Sequence, residues 1–176
     1  MTTPILGFIA HSGTGKTTLL VQLIRRLKNN KINVAVIKHA HHNVDIDKPG
    51  KDSYRLRESG ADQVILSSSE RTAYIKETPL QAMSFEQTIG LLDHSLIDLI
   101  LVEGFKNETY NKIELHRTSL NKPFLFESNQ RVLAIAHDGL PTQQQAQLAK
   151  QQLTELDLND IEQITTFVTS YIHNHQ

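Results

Sequence analysis

The chain has 176 residues, 39% of them hydrophobic, which is enough to bury one sizeable core and predicts a single domain spanning residues 1–176. Its 18 basic and 19 acidic residues leave a net charge of −1, so no global field draws it to nucleic acid or an anionic membrane. There is no cysteine, which excludes disulfides and thiolate metal sites. Met1-Thr2-Thr3-Pro4 is no secretory leader, and charges interrupt the long apolar runs, so the expectation is a cytoplasmic protein that does not span a membrane.

The first predicted element is an apolar strand, Ile5 to Ile9, followed by Ala10-His11-Ser12-Gly13-Thr14-Gly15-Lys16-Thr17-Thr18 and then a helical pattern with Leu19, Leu20, Leu23, Ile24 and Leu27 on one face. Strand, glycine-rich turn and helix in that order form the setting of a phosphate-binding loop. Glycine reaches positive φ at little cost, so the N–H groups of Ser12, Gly13, Thr14, Gly15, Lys16, Thr17 and Thr18 can converge on phosphate oxygens at the positive end of the helix. In that role Lys16 meets the β- and γ-phosphates, and the Thr17 hydroxyl ligates the Mg²⁺ that accompanies a nucleoside triphosphate. Ala10 stands where the G-x-x-x-x-G-K-[ST] pattern has its first glycine; it is small enough to pack beneath the loop.

Val34 to Ile37 reads as a strand buried on both faces and completes a βαβ unit. A polar stretch from Lys38 to Asp52 leads to a short helix near Ser53–Ser59. Val64–Leu66 and Thr72–Ile75 then read as an antiparallel pair. A helix is predicted from about Ser84 to Leu92, a buried strand at Leu99–Val102, and further strands at Ile113–Leu115, Phe124–Phe126 and Val132–Ala136. Two helices close the chain, the last with Ile161, Ile164, Phe167, Val168, Tyr171 and Ile172 as its apolar stripe. The alternation predicts a three-layer α/β P-loop NTPase fold with a mostly parallel sheet and antiparallel additions.

Glu103 ends the strand that begins after Asp98, where an acid stands beside a phosphate-bound metal directly or through water. Lys38 to Ser53 holds three histidines, His39, His41 and His42, and three aspartates, Asp45, Asp47 and Asp52. Their spacing fits no defined zinc pattern, and contacts to an anion or nucleotide suit them better. Asp47 and Asp52 are both candidates to position an attacking water, and the sequence does not choose between them.

Together, Ser12 to Leu20, Lys38-His39-Ala40-His41-His42, Asp45 to Tyr54, Glu103-Gly104-Phe105-Lys106 and Lys112 to Arg117 closely resemble the MobB family of molybdopterin-guanine dinucleotide biosynthesis adapter proteins. The similarity runs over nearly the whole chain and fades after about Asp138. The resemblance implies a protein that binds GTP with Mg²⁺, hydrolyses it weakly and forms a homodimer through an extended sheet. It also implies two partners: the guanylyltransferase that joins GMP to molybdopterin, and the molybdenum-insertion protein. No Asn-Lys-x-Asp guanine motif is present. Asp138, after the Val132–Ala136 strand, is a candidate to read guanine because ligands of such folds sit at carboxyl ends of strands; a turn residue before Gly139 fits it equally well. Two other functions fit parts of the pattern. A metal-insertion accessory GTPase would use the histidine loop, and a P-loop small-molecule kinase would need an arginine-rich lid, for which Arg55, Arg57 and Arg71 are too scattered.

Overall fold

The computed structural model describes residues 3–40, 45, 47–129 and 131–175. Its contacts divide the chain into two units, residues 1–39 with 88–176, and residues 40–87.

In the first unit, strands β1 (Ile5–Ala10) and β2 (Val34–Lys38) flank helix α1 (Lys16–Asn29). The second unit supplies α2 (Asp52–Glu58), β3 (Gln63–Ser67) and β4 (Thr72–Lys76), and α3 (Phe85–Ile89) spans the boundary. The first unit continues with β5 (Leu99–Glu103), β6 (Asn111–His116), β7 (Val132–His137), α4 (Thr142–Gln151), β8 (Thr154–Asp157) and α5 (Ile161–His173). Its six strands form one parallel sheet in the order β2-β5-β1-β6-β7-β8.

Successive strand residues point to opposite faces, and two apolar clusters follow from that alternation. Phe8, Ala10, Ala134 and Ala136 pack with Leu19, Leu20, Leu23 and Leu27 of α1 and Ile164, Val168 and Ile172 of α5. Ile9 and Ile135, on the other face, pack with Phe126 and with Leu148 of α4. Helices on both sides of a buried parallel sheet make the three layers expected from the sequence. Each buried leucine of α1 contributes about 2 kcal/mol, so packing rather than propensity holds this helix in place.

The antiparallel strands form a separate sheet in the second unit, with Val64 opposite Ile75 and Leu66 opposite Ala73. There Arg57 joins Asp45 (2.9 Å) and Glu77 (3.1 Å), while Ile65 is 67% exposed and Leu66 and Tyr74 are exposed beside it. Among the described residues no helix is long and apolar enough to cross a membrane.

Four expectations are corrected. Strand β2 is not buried on both faces: it is an edge strand of the sheet, and Val36 is 47% exposed. Phe124–Phe126 is not a strand: the Leu125 and Phe126 N–H groups donate to the Glu114 carboxylate (2.8 and 2.7 Å), Phe126–Ser128 forms a 3₁₀ turn, and β7 takes the place beside β6. The helix expected over 84–92 covers only Phe85–Ile89, with Gly90 following it. Strand β8 carries almost no strand signal in the sequence, because of its four residues only Leu156 is apolar.

Glu114 is fully buried. Burial pushes its pKa up to about 7, against the opposing pull of the two N–H donors. Between the ordinary carboxylate value and about pH 7 the folded chain therefore holds a proton that the unfolded chain has released, and stability falls as pH rises through that window. We expect the stability difference between wild type and Glu114→Gln, followed by urea unfolding, to shift against wild type by on the order of 2–3 kcal/mol from pH 5 to 8. A difference that stays constant with pH would contradict this.

Candidate functional site

The strand order places β1 between β5 and β6, so the chain leaves the sheet in opposite directions around the carboxyl end of β1. Open α/β sheets form their ligand crevices at such a point. Ala10, Lys38, Glu103, His116 and His137 all end strands along this edge.

The turn from β1 into α1 takes its shape from two left-handed glycines, Gly13 (φ 86°) and Gly15 (φ 96°), at positions where a side chain would strain the backbone. Between them Thr14 points inward, 1% exposed, and its hydroxyl donates to the His11 carbonyl (2.8 Å). Helix α1 then starts with no side-chain cap and no acidic residue in its first turn. Its leading N–H groups and positive end are left for an external anion, so the donor set fits a bound phosphate. Ser12, Thr17 and Thr18 are exposed along the loop and first turn.

Lys16 forms an ion pair with Glu103, and the Lys38 ammonium lies 3.9 Å from the other carboxylate oxygen of Glu103. Parallel pairing accounts for this meeting: Glu103 is in register with Phe8 of β1 on one side and with Lys38 of β2 on the other. Among the described residues no cluster of three His, Asp or Glu side chains forms a metal cage.

The turn after Glu103 is tightly constrained. Gly104 (φ 103°) lies so close to His39 that an added Cβ would fall 2.6 Å from the His39 Cβ. Phe105 also takes positive φ (46°), a conformation costing roughly 1 kcal/mol for a residue with a side chain. The Tyr110 hydroxyl donates to the carbonyls of Gly104 (2.6 Å) and Phe105 (3.0 Å) and pins both. Burial pushes the Tyr110 phenol well above its ordinary pKa, so it stays a donor. Its ring occupies the space above Gly7, where a Cβ would come within 2.2 Å, and the buried Lys112 ammonium sits 4.4 Å over the ring while donating to the Glu108 and Tyr110 carbonyls.

On the other side of the loop, Arg117 Nε donates to the Thr14 carbonyl (3.3 Å) and its guanidinium bonds Asp138 (3.1 Å). The second Asp138 oxygen accepts from the Thr118 N–H (2.8 Å). Partial burial raises the Asp138 pKa, but Thr118 and Arg117 outweigh it and hold the carboxyl below its usual value. Asp138 therefore touches the loop through Arg117.

Ser12 to Thr18, Glu103 and Asp138 thus gather at one edge of the first unit. Asp47 and Asp52 belong to the second unit. There Asp47 accepts from the Ser53 hydroxyl (2.9 Å), and Asp52 opens α2. Of the histidine loop, His41 and His42 lie outside the described residues, while His39 packs edge-on against Phe105 at 4.3 Å. The sequence reading did not single out Tyr110 or Arg117 as site residues; Arg117 carried a signal, as the basic end of the Lys112–Arg117 segment.

The family model of molybdopterin guanine dinucleotide synthesis protein B, MobB, matches residues 5–138. The chain is 45% identical over 171 residues to the molybdopterin-guanine dinucleotide biosynthesis adapter protein of Haemophilus influenzae, covering 97% of this chain and 90% of that one. To the protein of the same name from Escherichia coli it is 43% identical over 171 residues, covering 96% and 93%. The solved structure of Bacillus subtilis MobB shares the fold, with a TM-score of 0.71 at 18% identity over 96% of this chain and 97% of that one. The chain belongs to the MobB family.

Proposed function

We propose that this chain binds GTP with Mg²⁺ at the 10–18 loop and acts as an adapter in molybdopterin guanine dinucleotide biosynthesis, assisting the enzyme that transfers GMP to molybdopterin. The observation that carries the nucleotide reading is the Lys16–Glu103 pair, set beside a glycine-shaped turn that opens a helix with no acid at its start. That pair holds the two opposite charges a Mg²⁺–triphosphate requires, a cation for phosphate oxygens and an anion for the metal. In this reading the backbone of Ser12, Gly13, Thr14, Gly15, Lys16, Thr17 and Thr18 holds the phosphates, Lys16 neutralises the β- and γ-groups, and Thr17 and Glu103 hold Mg²⁺. The metal supplies Lewis-acid polarisation of the phosphates.

Hydrolysis in this proposal is slow. The protein acts as a cytoplasmic homodimer, meeting the guanylyltransferase and the molybdenum-insertion protein. Exposed Ile65 and Tyr74, opposite each other on one face of the β3–β4 hairpin, support an apolar contact with a second copy.

Titration of variants tests the site. Lys16→Ala is expected to weaken Mg²⁺–GTP binding by at least tenfold, while the melting temperature moves little because Lys38 still faces Glu103. Unchanged affinity would remove the loop as the binding site. Glu103→Gln is expected to weaken binding in the presence of Mg²⁺ by roughly tenfold and binding in EDTA much less. Equal losses under both conditions would make Glu103 a purely structural partner of Lys16.

A further inference from the structure

A cavity of ≈ 450 Å³ opens beside the phosphate loop, on the flank away from Glu103, between the start of α1 and the β8–α5 turn. Its volume falls in the usual range of small-ligand sites. Gly13, Gly15 and Thr18 form the wall it shares with the loop, so a molecule whose phosphates lie on the loop N–H groups would send its remainder into this space. The other walls differ in chemistry. Leu158 and Leu19 are buried and apolar, the Arg117 guanidinium is a flat cation, and Gln22 and Asn159 are exposed amides.

These walls are fixed in place before anything binds. Arg117 is held by the Thr14 carbonyl (3.3 Å) and by Asp138 (3.1 Å), so little freedom remains to be lost when a flat ligand stacks on it. The turn opposite is braced at each residue. Leu158 N–H donates to the His137 carbonyl (3.0 Å), Asn159 N–H to the Asp157 carboxylate (2.8 Å), and Asp160 caps α5 by accepting from the Glu162 and Gln163 N–H groups. Thr18 and Gln22, one turn apart on α1, share the face that lines the cavity. A flat aromatic ring suits an apolar side chain and a planar cation, and a rim of amides, each with a donor beside an acceptor, suits the polar edge of a purine.

We propose that this cavity is the base pocket of the nucleotide site, with the purine face against Arg117 and Leu158 and its edge read by the side-chain amides of Gln22 and Asn159. The proposal rests on the nucleotide reading above and makes it more specific. It moves base recognition from Asp138, whose two oxygens are engaged by Arg117 and Thr118, to the turn after β8. Asp138 becomes a positioning residue that acts through Arg117.

The test titrates the full chain with GTP, ATP and inorganic tripolyphosphate, each with Mg²⁺. Gln22→Trp, on an exposed helix face, puts an indole into the cavity from the α1 side and leaves the loop's own residues unchanged. It is expected to weaken GTP at least tenfold while tripolyphosphate stays within about twofold of wild type, because base stacking contributes on the order of tenfold or more. Asn159→Ala, in an exposed turn, is expected to narrow the ratio of GTP to ATP affinity with the same tripolyphosphate affinity. GTP affinity unchanged in both variants, or GTP and tripolyphosphate falling together, would overturn the assignment. A wild-type chain that binds tripolyphosphate but gains nothing from the nucleoside would overturn the base pocket and leave the phosphate loop standing. Binding of neither tripolyphosphate nor GTP to wild type would overturn the nucleotide reading and, with it, the pocket.

Discussion

The site depends on the Glu103 carboxylate standing beside Lys16, two residues 87 positions apart that meet only because β5 pairs with β1 in parallel. Two close approaches protect that geometry. Tyr110 fits over Gly7 and holds the carbonyls that follow Glu103, and His39 packs against Gly104 so tightly that no other residue fits there. The left-handed Phe105 is the local cost of this turn, and the single phenol proton of Tyr110, shared between the two carbonyls, helps offset it. A carboxylate on an unconstrained loop would pair with any exposed lysine. Here it is buried and braced so that one oxygen meets Lys16 while Lys38 lies near the other.

A second brace acts from the opposite side of β1. Arg117, at the end of β6, reaches the Thr14 carbonyl and is itself fixed by Asp138 at the end of β7, so the loop is tied to two further strands. His11 adds a third tie, with its ring nitrogen 2.9 Å from the Pro123 carbonyl. The segment carrying Pro123 is in turn anchored by the buried Glu114 carboxylate, which takes the N–H groups of Leu125 and Phe126. The loop therefore keeps its shape through strand-end contacts, and its own sequence stays free to present backbone donors.

How much of this was legible in the sequence follows from how local each feature is. Strand β1, the glycine turn and α1 are contiguous, and their signals of apolar run, left-handed glycines and helical leucine spacing do not depend on the rest of the chain. Glu103 was legible as the acid at the end of an apolar strand. Tyr110 was not, because its role is set by the missing Cβ of Gly7, which is distant in sequence. Arg117 and Asp138 were visible as residues but not as a pair. Phe124–Phe126 has the composition of a strand, and only a buried carboxylate on another strand diverts its N–H groups. The polar edge strand β8 carries almost no periodic signal, yet the turn that follows it walls the cavity beside the loop.

Calorimetric titration of the full chain with GTP and with ATP, each in Mg²⁺ and in EDTA, is the deciding measurement. Saturable binding that favours GTP and is strengthened by Mg²⁺ is expected. Binding of neither nucleotide would contradict the phosphate-loop assignment, and a preference for ATP would contradict the guanine-nucleotide role.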